Sequence, residues 1–225
     1  MDQMTRYAIY YAPPEGAFAE AAARWLGWDV QRARAVAQPD IPGLADDTAE
    51  PRRYGFHGTV KPPFRLVQGA DRQGLARAVA GLAARLAPVE MPGLQLVNLQ
   101  GFLALIPRGD TAPLQALAAQ VVRDLDPFRA TLTAAEMARR RPDRLTPRQQ
   151  HLLGQYGYPF VMEQFQFHLT LTGRLQMDRA PELARLAQAH FAGLVPQPFR
   201  LADLCLCCED LTGRFSVLHR YALSA

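Results

Sequence analysis

One short pattern, Phe-His-x-Thr, occurs twice in this chain and constrains its fold more than any other feature. "YGFHGTVKPPF" at residues 54–64 sets His57, Thr59 and Lys61 at every second position, and "FQFHLTLTG" at 165–173 does the same with His168, Thr170 and Thr172. Side chains alternate across a strand, so each triplet is expected on one face of its own strand. The surroundings repeat as well: Phe102 lies 45 residues after His57 and Phe215 lies 47 after His168, each inside a later apolar strand.

The rest of the chain fits around this repeat. Residues 6–12, "RYAIYYA", read as an opening strand stopped by Pro13 and Pro14. An alanine-rich helix follows over "EGAFAEAAARWLGW", with Phe18, Ala22, Trp25 and Leu26 on one face, and then a loop over 37–53. The first His strand, near 55–60, is expected to be cut short by Pro62 and Pro63. A helix from Asp71 presents Leu75, Val79, Leu82 and Leu86, and strands at 94–99 and 101–107 follow, the second of which also counts as the opening strand of the second half. The second half runs through a helix at 112–125, the His strand at 165–172, a helix from Pro181 and strands near 199–207 and 214–223. The order predicts a duplicated, two-lobed α+β fold: antiparallel sheets flanked by helices, a pseudo-twofold axis and a central cleft. It is expected as a single bilobal domain over residues 1–225, with lobes mixed from about 1–107 and 108–225.

The halves are joined by an Arg-rich connection at about 133–157. Thr133 with Glu136 predicts a capping box, Thr146 before Pro147 a second helix start, and Gly154 or Gly157 its end. Arg139, Arg140, Arg141, Arg144 and Arg148 make this the most basic stretch. It reads as a solvated helical hairpin or, functionally, as a lid or rim that steers a phosphate-bearing substrate.

The net charge of +4 permits acidic or phosphate-bearing partners. Lys61 is the single lysine among 25 basic residues, which draws attention to it beside His57. Cys205, Cys207 and Cys208 crowd into "CLCC"; buried strand thiols explain them better than a disulfide framework or a zinc site. The start lacks a secretory signal and no apolar run reaches about 20 residues, so a cytoplasmic protein with no membrane partner is expected.

If both triplets converge on one cleft, the chemistry they suit is cleavage of a phosphodiester. One oxygen must lose a proton as it attacks phosphorus and another must gain one as it leaves, and histidine serves either role near neutral pH. The Thr hydroxyls can donate to the non-bridging oxygens, where charge grows. This scheme requires neither metal nor other cofactor. A cation is expected nearby, with Lys61 the first candidate and Arg53 the second; Tyr54 and Tyr158 are candidates for substrate stacking or phosphate contact, and Thr172 for binding.

Taken together, "YGFHGTVKPPF", "GFLALIPRG", "DPFRATLT", "QYGYPFV" and "FHLTLTGRL" resemble the two-histidine (2H) phosphoesterase superfamily, and within it a bacterial subfamily found beside phosphonate-utilisation genes. The resemblance covers nearly the whole chain. It implies a bilobal fold and metal-independent opening of a cyclic phosphate of a nucleotide or ribosyl metabolite, with His57, Thr59, His168 and Thr170 as the catalytic set. The subfamily motif more often reads His-Ala-Thr-Leu-Lys; here it is His57-Gly58-Thr59-Val60-Lys61, which keeps the reactive side chains. Rival readings are an RNA end-processing or ligase-like enzyme of the same superfamily, with RNA as partner, and a non-catalytic nucleotide- or RNA-binding module.

Overall fold

In the computed structural model, which describes residues 5–225, one antiparallel sheet of seven strands organises the chain. In chain order the strands are β1 (Arg6–Tyr11), β2 (Trp28–Asp29), β3 (Arg34–Ala35), β4 (Gly58–Phe64), β5 (Val89–Met91), β6 (Leu94–Leu99), β7 (Phe102–Pro107), β8 (Leu169–Thr170), β9 (Phe199–Leu201), β10 (Asp203–Glu209) and β11 (Phe215–Ala222). The helices are α1 (Ala17–Leu26), α2 (Leu44–Asp47), α3 (Ala49–Arg52), α4 (Arg72–Ala83), α5 (Ala112–Asp124), α6 (Ala134–Arg139), α7 (Pro147–Tyr156) and α8 (Arg179–His190). This is the expected α+β architecture, with seven of its eleven described strands joined in one sheet.

Sheet order is β11-β10-β1-β4-β8-β7-β6, while β2 pairs with β3 and β5 with β9. The two His-bearing strands, β4 and β8, are the centre. Outward from each lies the opening strand of its own half, β1 or β7, and then a closing strand from the other half, β10 or β6. Each half therefore completes the sheet of the other.

The strands alternate as period-2 sequences must. Tyr7, Ile9 and Tyr11 of β1, Leu204 and Leu206 of β10, and Leu169 with Leu171 enter the main core. They meet Trp25 and Leu26 of α1, Leu75, Val79 and Leu82 of α4, Leu114 and Val121 of α5, and Leu183 of α8. Tyr10, Cys205, Cys207 and Phe215 belong instead to a smaller cluster with Trp28 and Val30. The long helices thus bury the main core, and the His strands present their functional side chains elsewhere. Cys205, Cys207 and Cys208 are buried on β10, and no disulfide links them among the described residues. No helix among the described residues is long and apolar enough to cross a membrane.

Two boundaries differ from expectation. β4 continues through Pro62 and Pro63 to Phe64, because its pairing with β1 shifts register twice: Tyr10↔Thr59, then Ile9↔Lys61, then Tyr7↔Phe64. The prolines fall in the second irregularity, where a missing N–H costs little. β8 is only two residues long, against the eight expected. A 3₁₀ turn at Met162–Gln164 precedes it, and Leu171 and Thr172 both donate their N–H to Leu103 O, which ends the regular ladder.

The first register shift also corrects the expectation for Lys61. One extra residue between Thr59 and Lys61 turns the lysine away from the His57 face. Its side chain is 1% exposed and ends beneath α5, where Nζ donates to Val122 O at 3.1 Å and to Asp126 Oδ1 at 3.3 Å. Burial pulls its pKa down to about 8, against the pull of Asp126, while Arg129 adds to the lowering.

Gly58 is likewise more than a small residue standing for another. A Cβ there would lie 2.2 Å from Phe167 Cζ, because that ring packs directly over the glycine. Phe167 is itself held by Tyr11 and Phe199, with centroids at 6.1 and 5.8 Å. Gly58→Ala is therefore expected to lose about 1–3 kcal/mol of stability through overpacking, and Gly58→Ala combined with Phe167→Leu to regain most of it. Urea denaturation checks both, and an unchanged midpoint for the single variant would show that the ring yields freely.

A second expectation concerns Lys61→Met. Between pH 8 and 10.5 the folded protein binds fewer protons at Lys61 than the unfolded chain does, so this group makes stability rise with pH across that window. The variant is expected to be at least as stable as wild type at pH 8, and wild type to gain on it as the pH rises to 10. A pH-independent difference would contradict the buried, depressed lysine.

Candidate active site

The two His-x-Thr segments meet through one backbone pairing, Gly58↔Leu169. Antiparallel register then sets His57 across from Thr170 and Thr59 across from His168, on the same face of the sheet. Directly opposed residues on one face have Cβ atoms about 4.5–5.5 Å apart, so the four side chains form a compact square. Each histidine faces the threonine of the other motif.

Both imidazoles are tethered in the same way. His57 Nδ1–H donates to Gly55 O at 2.9 Å, and His168 Nδ1–H donates to Gln166 O at 2.8 Å, in each case two residues back. A carbonyl oxygen only accepts, so these contacts place the hydrogen on Nδ1 and leave Nε2 with a free lone pair. Thr59 Oγ1–H then donates to His57 Nε2 at 3.1 Å. An aromatic ring from the opening strand of its own half supports each imidazole. Tyr10 of β1 stacks on His57 at 3.9 Å between centroids, and Phe102 of β7 leans on His168 at 5.8 Å.

The two environments are unequal. Burial pulls the His57 pKa down from its usual value to about 4; the hydrogen bond to Gly55 opposes this, and the charge of nearby His168 adds to it. His57 is thus neutral at physiological pH. Tyr10, fully buried behind it, has its phenol pushed well up by burial and cannot supply a charge there.

A cavity of about 260 Å³ opens beside this square, lined by His57, Thr170 and Thr172 together with Tyr54, Phe102 and Arg174, whereas Thr59 and His168 are not in its lining. Glu50, Pro51 and Gly173 complete its wall. Among the expected binding residues, Tyr54 and Thr172 are therefore at the site. Thr172 is buried, and its Oγ1 accepts the Leu103 N–H at 2.9 Å, leaving its hydroxyl hydrogen free to turn. Arg53 and Lys61 line a neighbouring cavity and not this one. Tyr158 does not line it either; its ring lies under the Arg140 guanidinium at 4.8 Å and against Phe160.

The cation that lines this cavity with His57 is Arg174, which sequence reasoning passed over. It is exposed, and Nη2 donates to Gln100 O at 3.0 Å at the tip of the β6–β7 hairpin. The signal was present, because continuing the alternation His168, Thr170, Thr172 by one step reaches it. Tyr10 was also missed; its place behind His57 follows from the β1–β4 register, which no local pattern reveals. Among the described residues no group of three or more His, Cys, Asp or Glu side chains is arranged to hold a metal ion.

Comparison with known proteins gives three kinds of likeness. Two relatives carry the name ribose 1,5-bisphosphate phosphokinase PhnN. The one from Janthinobacterium sp. (strain Marseille) is 35% identical over 222 residues, with 94% of this chain and 49% of the relative covered. The one from Laribacter hongkongensis (strain HLHK9) is 35% identical over 211 residues, with 92% and 49% covered. The chain spans about half the length of these relatives. Among solved structures, Escherichia coli LigT complexed with 3′-AMP aligns over 98% of this chain and 99% of that one, at 15% identity and a TM-score of 0.46. LigT in apo form aligns over the full length of both at 14% identity and the same TM-score. The third likeness is to a family model, described as a protein of unknown function (DUF1045), which matches residues 59–216. The chain belongs to that family.

Proposed function

We propose that the chain is a phosphoesterase of the 2H type, a metal-independent cyclic phosphodiesterase that opens a cyclic phosphate of a nucleotide or ribosyl metabolite. The observation that carries this reading is the Gly58↔Leu169 register, which gathers two histidines and two threonines on one face, both imidazoles tethered through Nδ1. Binding alone requires no such pair. The phosphorylated ribose in the names of the relatives supports a ribosyl substrate. Lys61, the single lysine, is followed by Pro62, so this chain carries no G-x-x-x-x-G-K-S/T phosphate loop of a P-loop kinase.

In this mechanism, His57 Nε2 takes a proton from water as the water oxygen forms its bond to phosphorus. The P–O bond to the ring alkoxide breaks on the opposite side, and protonated His168 delivers a proton to that oxygen. The negative charge growing on the non-bridging oxygens is met by the Thr59 and Thr170 hydroxyls and by Arg174. Thr59 donates to His57 when the site is empty; it swings to the phosphate when water takes its place on Nε2. An anionic phosphodiester beside His57 stabilises the imidazolium, raising its pKa from about 4 toward the range of an effective base.

The roles separate experimentally by leaving group. With excess chelator present, wild type is expected to hydrolyse a ribosyl 1,2-cyclic phosphate or a 2′,3′-cyclic nucleotide, followed by phosphorus NMR. His57→Ala and His168→Ala should each lose roughly 10²–10⁴-fold. On a p-nitrophenyl phosphodiester, whose leaving group needs no proton, His168→Ala should retain most activity and His57→Ala should not. The acid limb of kcat/KM should lie well below the ordinary histidine value of about 6.5, because the free enzyme keeps His57 neutral to about pH 4. The reverse leaving-group pattern would exchange the two roles. Binding without turnover of any compound would make this a recognition module, and turnover confined to an RNA with a cyclic phosphate end would make it an RNA end-processing enzyme.

A further inference from the structure

A larger cavity, of about 530 Å³, adjoins the first, and Tyr54 lines both. Its wall is dominated by cations, and their partners divide them into two groups. Arg6 is matched by Glu209, Arg65 by Glu136, and Lys61 and Arg129 share Asp126. Arg53, Arg139 and Arg140 also line the cavity, and among the described residues no carboxylate lies within ion-pair distance of any of them. Arg53 acts at longer range on Glu209, helping to hold that carboxyl below its usual value, but Glu209 is already bonded to Arg6 and Thr5.

The unmatched cations are held by built structure. Arg139 and Arg140 close helix α6, whose start is fixed by the reciprocal Thr133–Glu136 capping box. The same Glu136 accepts from Arg65 Nε and Nη2 at 3.0 and 2.9 Å, pinning α6 to the chain just after β4. Arg140 rests on the Tyr158 ring, and Arg53 immediately precedes Tyr54, the residue common to both cavities. Three guanidinium groups without counter-charge around one cavity repel one another until an anion enters. Their planar forks match phosphate oxygens better than any other common group.

From this arrangement we infer that the larger cavity is a second phosphate site, and that the substrate is a cyclic phosphodiester carrying a separate terminal phosphate. The cyclic group lies at His57 and His168, the body of the molecule passes Tyr54, and the terminal phosphate is bound by Arg53, Arg139 and Arg140. Three cations gathered round one cavity fit a single phosphate; a nucleic-acid backbone needs cations spread along a groove. This assignment rests on the proposed phosphodiesterase reading for the reacting end alone. The phosphate site itself is independent of it.

The test compares ribosyl 1,2-cyclic phosphate with and without a 5-phosphate, on wild type and on Arg139→Gln/Arg140→Gln. Wild type is expected to favour the phosphorylated compound by about 10–100-fold in kcat/KM, as charge-assisted hydrogen bonds of this number warrant, and the variant to reduce that preference to within about threefold. Calorimetric titration with ribose 5-phosphate, which has no diester to cleave, reads the cavity without turnover; wild type should bind it and the variant should bind it at least tenfold more weakly. Binding lost in the variant, with neither cyclic compound turned over by wild type, would uphold the second phosphate site and remove the phosphodiesterase reading. Equal turnover of the two compounds by wild type, or equal binding of ribose 5-phosphate by wild type and variant, would overturn the site. So would an RNA with a cyclic phosphate end that competes more strongly than the phosphorylated ribosyl compound.

Discussion

The backbone pairing of Gly58 with Leu169 is the junction on which the rest of the molecule depends. On the β4 side it joins β1, β10 and β11; on the β8 side, β7 and β6. Only there do the two His-bearing strands touch as strands. It is a short seam for so central a position, and side-chain packing compensates. The Phe167 ring lies over the missing side chain of Gly58, and Leu169 and Leu171 enter the main core beneath. Glycine serves at this point because the space above it is filled from the other motif, which ties the motifs together by packing as well as by pairing.

With the long helices buried in the main core, the histidine face is free to remain polar. Its order comes from local tethers: each Nδ1 to a carbonyl two residues back, Thr172 to the Leu103 N–H, and Arg174 to Gln100 O. Such bonds fix ring orientation and tautomer without an ionic partner, so each Nε2 is turned away from its tether, with that of His57 accepting from the Thr59 hydroxyl. The region toward α6 and α7 differs, because there Arg65 and Arg148 are held by carboxylates and Arg140 by a tyrosine ring.

What could be read from the sequence was whatever depended on a local period. Two-residue alternation placed His57 with Thr59 and His168 with Thr170 and Thr172. The i, i+3 pattern of Thr133 and Glu136 located the start of α6, and Thr146 with Pro147 that of α7. The readings that failed depended on a partner strand. A bulge belongs to a pair of strands, so nothing within "HGTVKPPF" says that the alternation breaks after Thr59 and sends Lys61 beneath α5. Tyr10 behind His57 and Phe167 over Gly58 are likewise contacts between residues about 50 and 110 positions apart. Arg174 lay within the legible range and was reached by the same alternation. It was passed over because rarity made the single lysine conspicuous, and rarity says nothing about where a side chain points.

Duplication supplies two copies of the same group, whereas splitting a phosphodiester requires two different ones, a base and an acid. For the proposed reaction, the unequal surroundings of the two histidines supply that difference. Tyr10 stacks face-on over His57 at 3.9 Å, and burial holds that imidazole neutral to about pH 4. His168 has the more distant, tilted contact with Phe102 and a hydrogen bond exposed to solvent. His168 also acts on His57, since a positive charge there further disfavours protonation of His57. In the proposed reaction this inequality favours His57 as the base and leaves the acid to His168. In this reading the divergence of the two halves matters as much as their likeness: the repeat brings the histidines together, and Tyr10 against Phe102 sets them apart.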